Sequence, residues 1–186
     1  MIRGIALIAL LLAACSTVPP NQATRHSASS PSEITNFELR GRLGLRGSGS
    51  ATINWNQAGD FYRIVLLGPF GSGRVEIEGD RDSAVWRDNS GKFASTDNPE
   101  QFLQERLGWA LPLDSLRFWI RGLASPEAPI DQFKLESGQL QLLRQSDWLL
   151  RFDRYQDVRG LQLPGRLVLE KEDQRLTLVI GNWTLR

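Results

Sequence analysis

The chain has 186 residues, 41% of them apolar, with 22 Lys and Arg against 21 Asp and Glu, one Cys and one His. That length suits one domain with a real core, and a charge this close to balance argues against the basic face that nucleic acid or a polybasic grip on anionic lipid would require. One Cys excludes an internal disulfide, and with the only His (His26) in a polar N-terminal stretch and the only Cys (Cys15) at a lipidation motif, no Cys–His or Ser–His nucleophile system and no zinc site built on those ligands is expected.

The chain opens with Arg3, an apolar run over residues 5–12 (IALIALLL), and then Leu12-Ala13-Ala14-Cys15. A membrane span needs about 20 apolar residues, so this run reads as the core of a signal peptide. Leu, two small residues and Cys form the pattern that lipoprotein signal peptidase cleaves. With no second Cys for Cys15 to pair with, thioether lipidation is its expected use. The alternative is an ordinary signal peptide that happens to end beside a cysteine. Removal of residues 1–14 takes Arg3 away and leaves the remaining chain neutral. Residues 15–35 are rich in Ser, Thr, Pro and Asn and hold the only histidine, His26. So polar a stretch cannot pack and is expected to be a flexible tether between lipid and domain.

From Asn36 onward, across residues 36–186, the pattern changes to period two. Phe37, Leu39, Gly41, Leu43 and Leu45 alternate with Glu38, Arg40, Arg42 and Gly44, which predicts a strand with one apolar face. Ala51, Ile53 and Trp55 repeat the pattern after a turn at 47–50. Further strands are predicted over 61–67, around Val75 and Ile77, and over 83–87 and 91–95, with Asp88-Asn89-Ser90-Gly91 as a turn. The rhythm then breaks. Asn98 fits a helix cap, Pro99 the first helical position, Gln101 the N3 position, and Gly108 the end. A second helix is predicted from Pro112 to Gly122, with Leu113, Leu116 and Ile120 on one side and Trp119 beside them. Strands resume over 132–136, 140–144, 148–155, 166–171 and 175–183. The expected architecture is mainly β (α+β): a strongly curved antiparallel sheet forming an incomplete barrel of about eleven strands, with a helical lid inserted mid-chain.

Motifs that carry chemistry are scarce. Gly68-Pro69-Phe70-Gly71-Ser72-Gly73 is glycine-rich, but no Lys-Ser/Thr and no helix start follows, so it is not a phosphate loop. Glu76/Glu78 and Glu170/Glu172 could in principle act as paired carboxylates. Each pair shares a strand face, however, and Val75/Ile77 and Leu167/Leu169 take the opposite, apolar one, which leaves the glutamates as the solvated side. Neither an enzyme activity nor a cofactor is expected. Phe70 does stand out. Pro69 and Gly71 place it near the tip of a type I turn, where polar residues are usual. It can dip into lipid or a partner, or fold back onto the domain's own rim.

Several strings, in this order and spacing behind the Cys15 motif, resemble the LolB family of outer-membrane lipoprotein receptors. They are FELRGRL (37–43); Trp55 with Gln57 and GDFYRIVL (59–66); GPFGS (68–72); LPLDSLRFWIRGL (111–123); residues 148–155; Leu163-Pro164; and Ile180-Gly181-Asn182-Trp183. The resemblance implies an unclosed barrel with a helical lid over a hydrophobic cavity for acyl chains. It implies a monomer, lipid-anchored on the periplasmic side of the outer membrane. Its expected partners are a LolA-type periplasmic carrier, client lipoproteins and outer-membrane lipid, and no nucleic acid. It also implies a membrane-insertion loop at Gly68, Pro69, Phe70 and Gly71, with Phe70 as the apolar tip where relatives often carry Leu. The cavity candidates are Leu43, Ile53, Leu66, Val75, Ile77, Leu116, Trp119 and Ile120. Pattern shows that these residues are buried; it does not distinguish the lining of a void from a filled core. An envelope lipoprotein of the same fold that binds another lipid or protein, and an envelope hydrolase, remain the alternatives.

Overall fold

The structure is a computed structural model and describes residues 30–47, 49–68, 73–107 and 111–186. A 3-10 turn, Pro31–Glu33, leads into β1 (Asn36–Leu45), β2 (Gly49–Ala58), β3 (Phe61–Leu67), β4 (Arg74–Gly79), β5 (Ala84–Asp88) and β6 (Phe93–Thr96). Helices α1 (Pro99–Leu107) and α2 (Leu113–Trp119) follow. The chain ends with β7 (Ile130–Glu136), β8 (Gln139–Gln145), β9 (Trp148–Asp153), β10 (Gln156–Val158), β11 (Leu161–Leu163), β12 (Arg166–Lys171) and β13 (Gln174–Leu185).

Eleven strands form one sheet in the order β6-β5-β4-β3-β2-β1-β13-β12-β9-β8-β7, and β6 and β7 are free edges, so the barrel is not closed. Laid flat, such a sheet would be about 48 Å across, whereas α1 and α2 together are only about 24 Å long. Yet the buried faces of both halves of the sheet join both helices in one hydrophobic cluster. Curling is what brings the two halves under so short a helical segment. The expected incomplete barrel of about eleven strands with a mid-chain helical lid is the fold observed.

Local chemistry explains the joints. The Asn98 side chain accepts the Gln101 N–H at 3.1 Å, the predicted cap of α1. Asp88 Oδ1 accepts the Ser90 and Lys92 N–H groups and closes the predicted β5–β6 turn. Between Arg40 and Gly41 the β1–β13 register slips by one residue. A Cβ at Gly41 would run into the Val179 carbonyl, so only glycine fits the bulge.

Three features depart from the sequence reading. The hairpin ribbon β10–β11 lies outside the main sheet, and its three-residue strands are too short to show a period. Residues 30–35, which by composition fall in the tether, are ordered: Ile34 is buried in the core and its carbonyl accepts the Arg121 guanidinium. Glu76 is not solvated. Arg63 and Arg74 cover it from neighbouring positions on the outer face, at 2.7 and 2.5 Å, and it is only 6% exposed.

Candidate functional site

The inward face of the sheet is built in rows across the strands. Gly41, Ile53, Leu66 and Val75 are successive partners across β1–β4. Leu39, Trp55, Ile64, Ile77 and Trp86 form the next row, across β1–β5. Leu43 pairs with Leu178, Leu178 with Leu167, and Leu167 with Phe152, which extends the apolar surface into the C-terminal half. Because β side chains alternate in direction, alternate residues of these strands contribute, and Glu38, Arg40, Asn54, Asn56 and Arg63 take the opposite side; β7 is exposed along its whole length.

Helix α2 lies against this surface through Leu113, Leu116 and Trp119, with Ile120 just beyond its end. The Trp119 and Trp148 rings are 6.4 Å apart. On the other side, Phe102 of α1 meets Trp86 of β5 edge-on at 6.2 Å. The sequence-predicted residues Leu43, Ile53, Leu66, Ile77, Leu116, Trp119 and Ile120 are all buried in this cluster, and Val75 packs half-buried against it. The structure therefore brings the five strand residues onto one apolar sheet face and sets the three residues of the helical segment against it, in one cluster. Gly68 is described and its N–H bonds to the Gly73 carbonyl at 3.0 Å, closing the base of the β3–β4 loop. Cys15, Pro69, Phe70 and Gly71 lie outside the described residues.

Polar contacts that sequence reasoning missed hold the lid down. Gln145 is fully buried; it accepts the Trp119 indole N–H at 2.8 Å and the Ser125 N–H at 2.9 Å. Its amide donates to the Ser125 and Ala128 carbonyls at 2.8 and 2.7 Å. One side chain thus ties α2 and the segment after it to β8. At the other end Arg117 of α2 donates to Asp60 Oδ1 at 2.5 Å, and Arg81 reaches the same oxygen at 3.2 Å. These two bonds hold the Asp60 carboxyl below its ordinary range. Arg121 donates to the carbonyls of Arg117, Pro31 and Ile34 and has no carboxylate within ion-pair distance among the described residues. Burial, then the neighbouring Arg117 charge, pull it down to about 10. Both guanidiniums lie about 5 Å from the Phe118 ring centre. Signals for these contacts were present only as isolated polar letters inside apolar stretches.

Among the described residues, no group of three or more His, Cys, Asp or Glu is placed to hold a metal ion. No helix there is long and apolar enough to cross a membrane.

A sequence model of the family described as "Outer membrane lipoprotein LolB" matches residues 35–183. The chain belongs to the LolB family. The "Outer-membrane lipoprotein LolB" of Chromohalobacter salexigens is 35% identical over 191 aligned positions, covering 98% of this chain and 89% of that one. The protein of the same name from Cellvibrio japonicus is 33% identical, covering 100% of this chain and 98% of that one. Among solved structures, a DUF1329 family protein from Desulfovibrio piger superposes with a TM-score of 0.56 at 8% identity, over 83% of this chain and 87% of that one. At that identity the likeness concerns the fold alone.

Proposed function

We propose that this protein is an outer-membrane lipoprotein that accepts lipoproteins from a LolA-type periplasmic carrier and incorporates them into the outer membrane. The observation that carries this reading is a continuous apolar face under a helical lid, in a chain that matches the LolB family across nearly its whole domain. Three acyl chains of roughly 16 carbons, at about 0.8 kcal/mol per CH₂, would cost about 30–40 kcal/mol to expose to water. A receptor needs no catalytic group for this task. It needs an apolar surface that holds the chains better than the carrier does and less well than the bilayer, with a side that opens. The free edges β6 and β7 and the lid make such a side available. The acyl chains would lie along Leu43, Ile53, Leu66, Val75 and Ile77, beneath Leu116, Trp119 and Ile120. For them to enter, α2 shifts against Gln145 and Asp60.

In this reading Cys15 carries the lipid anchor and residues 16–29 reach from the bilayer to the domain. The loop at Gly68, Pro69, Phe70 and Gly71 meets the membrane, and the protein acts as a monomer facing the periplasm. Full insertion of Phe70 would contribute about 2 kcal/mol, enough to orient a domain already held by lipid.

The test is transfer in vitro. Acylated full-length protein in liposomes is offered a radiolabelled lipoprotein held by the carrier, and acceptance and insertion into bilayer are read separately. Both steps are expected to proceed. A domain that binds lipid but takes nothing from the carrier would instead belong to an envelope lipoprotein serving another ligand.

A further inference from the structure

At the junction of lid and sheet lies a pocket of about 290 Å³ that the acyl-chain site does not use. Five carboxylates line it: Asp80, Asp97, Glu100, Asp114 and Glu127. Arg81 is the only cation in its wall among the described residues, and it is committed to Glu127 at 2.9 Å and to Asp60 at 3.2 Å. Asp80 accepts the Asp82 and Ser83 N–H groups and serves the β4–β5 turn. Glu100 and Asp114 stand in the first turns of α1 and α2, where helix dipoles offset part of their charge. Asp97 stands just before the Asn98 cap of α1. Neither Asp97 nor Asp114 has an ion-pair partner among the described residues.

A second observation is independent of the acids. Tyr62 lines the same pocket, the residue is only 4% exposed, and its buried hydroxyl has no hydrogen-bond partner among the described residues. A buried hydroxyl left unpaired is costly, and a native one calls for an absent partner. Burial, and after it the negative charges of Asp114 and Asp80, push the phenol well above its usual range. A group that donates N–H bonds and carries positive charge satisfies both features at once.

We propose that this pocket receives a lysine or arginine side chain of a periplasmic protein partner. Its volume is near the lower end of small-ligand sites, which suits one long side chain. Its position argues against a lipid ammonium. Tyr62 and Asp80 stand where β3 begins and β4 ends, while the Gly68–Gly73 loop leaves the opposite ends of the same two strands, about 17 Å away along β3. If that loop meets the bilayer, the pocket faces away from it. The inference rests on the proposed receptor function, which makes the carrier the partner to test.

The experiment measures affinity of the purified carrier for acylated full-length protein in liposomes, at two salt concentrations. Asp97→Asn/Asp114→Asn removes two unpaired charges without changing shape. It is expected to weaken binding about tenfold and to flatten the salt dependence. Thermal unfolding is expected to be unchanged or slightly higher, because burial disfavours the charged form of Asp114. Tyr62→Phe is expected to cost about threefold in affinity with no loss of thermal stability. Unchanged affinity in both variants, with wild-type binding intact, overturns the pocket assignment. Binding that depends on phosphatidylethanolamine in the liposomes and not on the carrier overturns the choice of partner. If wild-type protein fails to bind the carrier at all, the receptor function itself falls.

Discussion

Gln145→Leu is the sharpest test of how the lid is held. The side chain sits in β8 opposite Trp148 of β9 and makes four hydrogen bonds of 2.7–2.9 Å to Trp119, Ser125 and Ala128. Leucine nearly conserves the volume but offers no polar atom. The Trp119 indole N–H and the Ser125 N–H are then left in residues no more than 3% exposed, at about 1–3 kcal/mol each. The Ala128 carbonyl belongs to a half-buried residue and can turn to water. The expected loss is about 3–5 kcal/mol, or about 8–15 °C in Tm for a domain of this size. Denaturant unfolding followed by tryptophan fluorescence measures it directly. Gln145→Glu keeps the acceptor for Trp119 and Ser125 but turns a buried carboxylate oxygen toward the Ser125 and Ala128 carbonyls, and at neutral pH should cost at least as much as Gln145→Leu. A loss for Gln145→Leu below about 1 kcal/mol, the size expected of an ordinary surface change, would refute the claim that this amide clamps α2 to the sheet.

Phe70→Glu should leave acceptance from the carrier intact and stall insertion into liposomes; normal insertion by this variant would remove Phe70 from the mechanism. Gly41→Ala should cost about 2–4 kcal/mol in urea unfolding, because its methyl meets the Val179 carbonyl at the bulge; a neutral result would mean that the bulge relaxes freely. Asp60 is held below its ordinary pKa of 3.8 by hydrogen bonds from Arg117 and then Arg81. Its contribution is therefore fully present above about pH 4 and fades as pH falls through the folded-state value. Asp60→Asn should flatten the acid limb of the stability–pH curve, as measured by Tm at steps of pH between neutrality and acid.

Alternation of apolar and polar residues made the sheet legible. Val75/Ile77 against Glu76/Glu78, or Leu167/Leu169 against Arg166 and Glu170, can satisfy both water and core only as half-buried strands. Asn98-Pro99 with Gln101 announced α1 for an equally local reason, the need to satisfy the first free N–H groups, and the five strand candidates share one sheet face because period decides facing. Contacts between residues distant in sequence left no such trace. Gln145 reads as one polar letter among glutamines, and it becomes a clamp only when the fold sets Trp119 beside it. Asp60 and Arg117 are 57 residues apart, and Tyr62 points at acids drawn from turns and helix starts that meet only once the sheet curls. Composition placed residues 30–35 in the tether, yet Ile34 and two carbonyls are captured by the core and by Arg121. Local patterning, set by the choice between water and apolar burial at each residue, was enough to determine the strands of the main sheet, the helices and which face is greasy. Polar pairing across the core depends on distances that exist only after the chain has closed on itself, and the tertiary structure alone decided it.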